Sequence, residues 1–141
     1  MPIFRTNEAC LTTAAELQTA FAASLVRLFK STFIPTVSTT KAELVANEVL
    51  FTGYPAGGEP ITAWLDPLLD PSGGASITAP TVQFAVTGPV VDTDLVGGFW
   101  LEDAGGDVRI VGQLANPIPM EVVGQGFPLN LKEVVPTGQI I

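Results

Sequence analysis

Three pairs of aspartates stand at spacings that could bring two carboxylates to one reacting bond: Asp66/Asp70, Asp92/Asp94 and Asp103/Asp107. Paired carboxyl groups, one protonated and one ionised, are the machinery of glycoside hydrolysis. Asp103 and Asp107, together with Glu102 and the loop carbonyls between them, could also surround a hard cation such as calcium. Each pair, however, lies beside Pro, Gly or Thr, where aspartate is common because its side chain caps nearby backbone. The spacing in 103–107 does not match an EF-hand loop. The expectation is therefore three turns, with no catalytic residue, no metal site and no cofactor.

Other chemistries fare no better. The chain has no histidine, which removes the commonest general base and the commonest metal ligand. Serine nucleophiles lack that base and any Gly-x-Ser-x-Gly elbow. The glycine pairs 57–58, 73–74, 97–98 and 105–106 are not followed by the Gly-Lys-Ser/Thr of a phosphate loop. Cys10 is the single cysteine, so no disulfide closes within the chain, and it reads as a small buried apolar residue. Trp64, Trp100 and Tyr54 could stack on a sugar, but aromatic residues in strands are more often core.

The 141 residues suit one domain, 1–141. Charged residues make up only 14% and apolar residues 47%, against a usual charged share of about 25%. A surface this short of charge invites cover by partners or by copies of the same chain. The net charge is −8, and ten acids but no base lie between Lys41 and Arg109. Nucleic-acid binding needs a basic footprint and is not expected. The apolar run Leu11–Phe29 is interrupted by Glu16, Gln18 and Arg27, so neither a membrane span nor a signal peptide is expected, and the chain reads as one assembled in a cytoplasm.

The elements that would carry these residues can be read in order. Ala14, Leu17, Phe21, Leu25 and Leu28 recur every three or four residues, and Thr13 with Glu16 matches a capping box. This spacing predicts an amphipathic helix over Thr13–Lys30, its stripe packed either on a sheet of its own domain or on the same helix of neighbouring subunits. Leu17, Phe21, Leu25 and Leu28 are thus candidate interface residues. A second capping box, Thr40 with Glu43, predicts a short helix over 41–47. Candidate strands follow at 49–54, 61–64, 75–79, 81–87, 120–123 and 127–135. Pro117 and Pro119 suggest an edge or a bend.

The centre of this pattern is Gly97–Gly112. Two runs of strand formers flank the polar loop Asp103–Asp107, which is a hairpin signal. Alternation places Phe99, Leu101, Val108 and Ile110 towards the core and leaves Trp100 as the candidate contact with a partner. The whole predicts a mainly β fold: an antiparallel, jelly-roll-like β-sandwich of seven to nine short strands over 49–141. Residues 1–48 would form an N-terminal arm, the long helix and the short helix.

Phe51-Thr52-Gly53-Tyr54, Trp64, Gly73-Gly74-Ala75, Phe84 and Val96-Gly97-Gly98-Phe99-Trp100-Leu101-Glu102-Asp103-Ala104-Gly105-Gly106 resemble, as a string, a group of small tailed-bacteriophage virion proteins. The resemblance spans about 49–131 and omits the helix. It implies a non-enzymatic structural component of the virion, foremost a capsid cement or decoration protein. Such a protein would self-associate, with a trimer favoured, and would bind the major capsid protein or another virion protein, without touching nucleic acid or membrane. The alternative is a tail-associated or fibre module that recognises a carbohydrate or receptor.

Overall fold

The computed structural model describes residues 3–88, 95–120 and 122–137. The pair Asp92/Asp94 lies outside them. The fold is mainly β, with two helices and nine strands among the described residues. In order these are α1 (Asn7–Ala20), β1 (Ser24–Lys30), α2 (Lys41–Ala46), β2 (Glu59–Ile61), β3 (Leu68–Leu69), β4 (Ala75–Thr78), β5 (Val82–Ala85), β6 (Val96–Glu102), β7 (Val108–Ile118), β8 (Gly126–Leu129) and β9 (Lys132–Val135). They form three antiparallel sheets with orders β2-β1-β6-β7, β3-β4-β9 and β5-β8.

The long helix ends earlier than its spacing predicts. Thr6, not Thr13, is its N-cap, accepting a hydrogen bond from the Ala9 amide. Phe21 is the C-cap, and Leu25, Arg27, Leu28 and Lys30 belong to strand β1. The physical reason is that β1 is covered on both faces. A strand buried on both sides is a continuous apolar run, which periodicity cannot tell from a buried helix. Residues 1–48 therefore supply a strand that lies between β2 and β6 in the four-stranded sheet.

The helix that remains packs on β4 and β9 of its own chain. Cys10 and Ala14 are fully buried there, while Leu11 and Leu17 pack against the same core. The main core joins Val26, Leu28, Ile61 and Leu101 of the four-stranded sheet to Ile77, Val82, Phe84 and Val135 of the two smaller sheets. A second, smaller core lies on the other face of the four-stranded sheet. There Phe29, Leu44 and Trp100 are completely buried, and Phe33, Val108 and Val111 pack around them.

The hairpin over Gly97–Gly112 forms, with β6 and β7 joined by the 103–107 loop; Phe99, Leu101 and Ile110 face the main core as alternation predicts, whereas Val108, past a register shift at Leu101/Glu102, packs with Phe29, Leu44 and Trp100. Its glycines leave room for rings. A Cβ on Gly98 would lie 2.2 Å from the Phe29 ring, and one on Gly112 would lie 2.3 Å from the Phe99 ring. The capping box of α2 is complete, with Thr40 and Glu43 bonding each other's backbone amides. Elsewhere the elements are rearranged. The stretch 49–54 forms no strand, and Val49 and Phe51 instead insert into the core as plugs. The expected strand over 127–135 is broken into β8 and β9 at Asn130-Leu131, and Val122–Gly124 turn rather than extend. Pro117 falls near the end of β7, which is an edge strand, as proline requires.

Candidate functional site

Four ionisable side chains, Arg27, Lys41, Glu48 and Glu102, converge on the face of the four-stranded sheet that carries the smaller core. Arg27 of β1 pairs in register with Trp100 of β6. Its guanidinium lies 5.1 Å above the indole ring, a cation–π contact. Nε and Nη2 of Arg27 donate to the two carboxylate oxygens of Glu48 at 2.7 and 2.8 Å, the bidentate geometry that fits this fork best. Nη1 donates to Glu102 Oε1 at 3.2 Å, and Trp100 Nε1 donates to the same oxygen at 2.8 Å. Lys41, at the start of α2, reaches Glu102 Oε2 at 3.2 Å and also donates to the Gly106 carbonyl at 2.7 Å.

Tyr54 completes the set. The N–H of Leu28 lies between the part of β1 paired with β2 and the part bridged to Glu48, so no strand meets it. The Tyr54 hydroxyl accepts that N–H at 3.1 Å and donates to Glu48 Oε2 at 2.7 Å. A side chain thus replaces one rung of a ladder, as a buried amide demands. Burial pushes the Tyr54 phenol above its ordinary range, and the bond to Glu48 adds to the shift. The Glu48 hydrogen bonds likewise hold the Arg27 guanidinium charged against the cost of burial.

Two cations and two carboxylates balance here, and each carboxylate is held by hydrogen bonds from several elements. Glu102 is only 2% exposed. The cluster ties β1, β6, α2, the 103–107 loop and residue 48 into one unit. Its chemistry is that of a clamp.

Of the described aspartates expected in turns, Asp103 and Asp70 cap turns and Asp66 does not. Asp103 Oδ1 accepts from the amides of Gly105 and Asp107, both at 3.0 Å, and closes the hairpin loop. Glu102, weighed with them as a calcium ligand, points away to Trp100 and Arg27. Asp66 and Asp70 do different jobs. Asp66 accepts from Gln18 of α1 at 3.1 Å. Asp70 accepts from the Ser72 amide and hydroxyl and is paired with Lys132 of β9. Lys132 first, and Ser72 second, hold the Asp70 carboxyl down at about 2. No cluster of three His, Cys, Asp or Glu side chains able to hold a metal ion occurs among the described residues.

The predicted interface residues are dispersed. Phe21 and Leu28 are buried in the main core, at 2% and 1% exposure, and Leu17 and Leu25 are half-buried. Trp100, expected to meet a partner, is fully buried in its own chain beneath Arg27. Alternation misled here because both faces of β6 are covered. Nor do the aromatic residues form an exposed stacking platform. Trp64 is buried with its Nε1 bonded to Ser24 Oγ, and Tyr54 stacks on Phe84.

The cluster itself was missed by the sequence. Arg27, Lys41, Glu48 and Glu102 are separated by up to 75 residues, so no spacing rule connects them. The one available signal was an isolated charge inside each apolar run, at Arg27 and at Glu48. The surface also offers exposed apolar side chains. Ile34, Val37, Leu50, Leu65, Leu68, Leu69, Val122 and Val123 are each more than half exposed. No helix among the described residues is long and apolar enough to cross a membrane. No family model matches the chain, and no curated protein or solved structure is similar to it.

Proposed function

We propose that this chain is a non-enzymatic structural protein of a bacteriophage virion, a capsid cement or decoration protein that associates with itself and binds the shell. The observation that carries the reading is the exposed apolar surface. Leu65, Leu68 and Leu69 lie within five residues of one another at 57%, 68% and 54% exposure, on and before the edge strand β3. A solitary soluble domain seldom leaves adjacent leucines in water; such patches mark surfaces that are covered in an assembly. The low charge content, the clamped carboxylates and the virion-like aromatic and glycine positions agree with it. In this reading the four-stranded sheet and the two smaller sheets are the two layers of a jelly-roll-like sandwich around the shared core.

Co-expression with the major capsid protein of its own genome tests the reading. The chain should sediment with the assembled shells at a fixed stoichiometry, and Leu68→Lys/Leu69→Lys should reduce that binding at least tenfold. A chain that stays in the supernatant while shells pellet would overturn it.

A further inference from the structure

The four-stranded sheet has two edges, and they are treated differently. β2 is three residues long and carries Glu59 and Pro60, the usual guards against pairing with another chain. β7 runs eleven residues as the opposite edge; its register to β6 shifts between Val108 and Ile110 and again between Gln113 and Ile118, so Ile110–Gln113 is its uninterrupted stretch, and its only proline is Pro117, near the end. From Val108 to Met120 the chain carries no acid and one base, Arg109. Arg109 already faces Asp103 at 3.8 Å. Beside this edge the segment 35–39 stands off, leaving an open groove of about 640 Å³ lined by Pro35, Val37, Val108, Ile110, Val111 and Gln113. That second wall, 33–39, is uncharged. Val37 is fully exposed in it.

We infer that the β7 edge is the self-association surface, where β7 of a second copy adds antiparallel to the sheet about a two-fold axis. The inference rests on the self-association part of the proposed function and names the surface. Charge selects the occupant. A chain of net −8 repels its copies through most of its surface. This edge and its flanking wall are free of acid, so two copies can meet there without bringing carboxylates together. Over Ile110–Gln113 the outward backbone N–H and C=O groups of one copy meet the same groups of the other, which is the self-complementarity a two-fold interface needs. With the two-fold axis between Val111 and Gly112, the two Arg109 residues sit about 17 Å apart along the strands, beyond the ~8 Å over which exposed charges interact at physiological salt.

Sedimentation equilibrium of the purified full chain tests this together with Gln113→Lys/Ala115→Lys, two exposed positions on β7. The wild type should show twice the 14.7 kDa chain mass. The double variant should weaken association at least tenfold with an unchanged melting temperature, and Ala15→Lys/Ala46→Lys, on exposed helix positions, should leave it intact. Hydrogen exchange of the wild type supplies the second readout: amides of 108–118 should lose protection on dilution. A monomeric wild type overturns the inference, as would a foreign peptide filling the edge of a monomer. An oligomer unaffected by the β7 lysines overturns it too, while leaving self-association standing; shell binding without self-association would separate it from the decoration reading. Equal dissociation by both lysine pairs would also refute it, since charge in general would then be the cause.

Discussion

Replacing Arg27 by Met should be among the most damaging single changes in this protein. The methionine keeps much of the apolar stem over Trp100, so the loss falls on the guanidinium. That group makes two hydrogen bonds to Glu48 and one to Glu102. Removing it leaves Glu48 with Tyr54, and Glu102 with Trp100 and Lys41. Breaking a buried pair by deleting one partner costs ~3–5 kcal/mol, because the other charge stays buried. Arg27 and Glu48 are each 14% exposed, so water reaches the site in part and the lower end applies. The expected loss is ~3 kcal/mol, near 10 °C in Tm for a domain of this size. Urea denaturation of the wild type, Arg27→Met, Glu48→Gln and the double variant forms the assay. The double variant should recover about half of the summed single losses, because the orphaned carboxylate is then gone. Additive losses, or a single loss below about 1 kcal/mol, would show that the clamp does not hold the fold.

Three further outcomes follow from particular contacts. Asp70, held at about 2 against an ordinary 3.8, contributes stability above pH 3.8 that is lost as the pH falls towards 2. Asp70→Asn should flatten that part of the acid unfolding curve; an unchanged curve would contradict the Lys132 and Ser72 contacts. Tyr54 is the chain's only tyrosine, so its ionisation can be followed directly by ultraviolet absorbance. Its folded value is raised, so its contribution is full below pH 10 and declines above it; phenolate should appear only as the protein unfolds, and a normal titration near pH 10 in the folded state would refute its burial. Gly98→Ala would place a Cβ 2.2 Å from the Gly112 carbonyl and from the Phe29 ring. It should cost more than the ~1–3 kcal/mol of ordinary overpacking, since the backbone cannot yield as a side chain can; thermal melting within 2 °C of the wild type, by the ~2–8 °C per kcal/mol rule, would refute the close approach.

The hairpin was legible because everything that makes it is local: strand formers, a loop of Asp and Gly, and strand formers again within sixteen residues. The second capping box was legible for the same reason, as Thr40 and Glu43 are three residues apart. Leu25 and Leu28 were misread because they continue the spacing of α1, and only tertiary cover shows that Ser24–Lys30 is a strand between two others. Trp100 was misread because alternation assumes one wet face, whereas α2 and Phe29 cover the second face of β6. The clamp was the least legible of all. Its members are distant in sequence, and each is ordinary where it stands.

The clamp also bears on how the surface meets partners. The chain has only six bases. Arg27, Lys41, Arg109 and Lys132 are paired with the chain's own acids. The exterior is therefore governed by the remaining acids and by the exposed apolar side chains. Two such surfaces repel at long range and attract only at short range, along acid-free strips such as β7. Salt separates these contributions: it shortens the range of the repulsion from about 30 Å at 0.01 M to about 8 Å at 0.15 M and leaves the backbone pairing and apolar burial intact. Raising the salt over this range should tighten self-association, as measured by sedimentation. Had the interface been made of opposite charges, the same salt would loosen it, so the sign of the salt dependence decides between an apolar edge-to-edge contact and an ionic one.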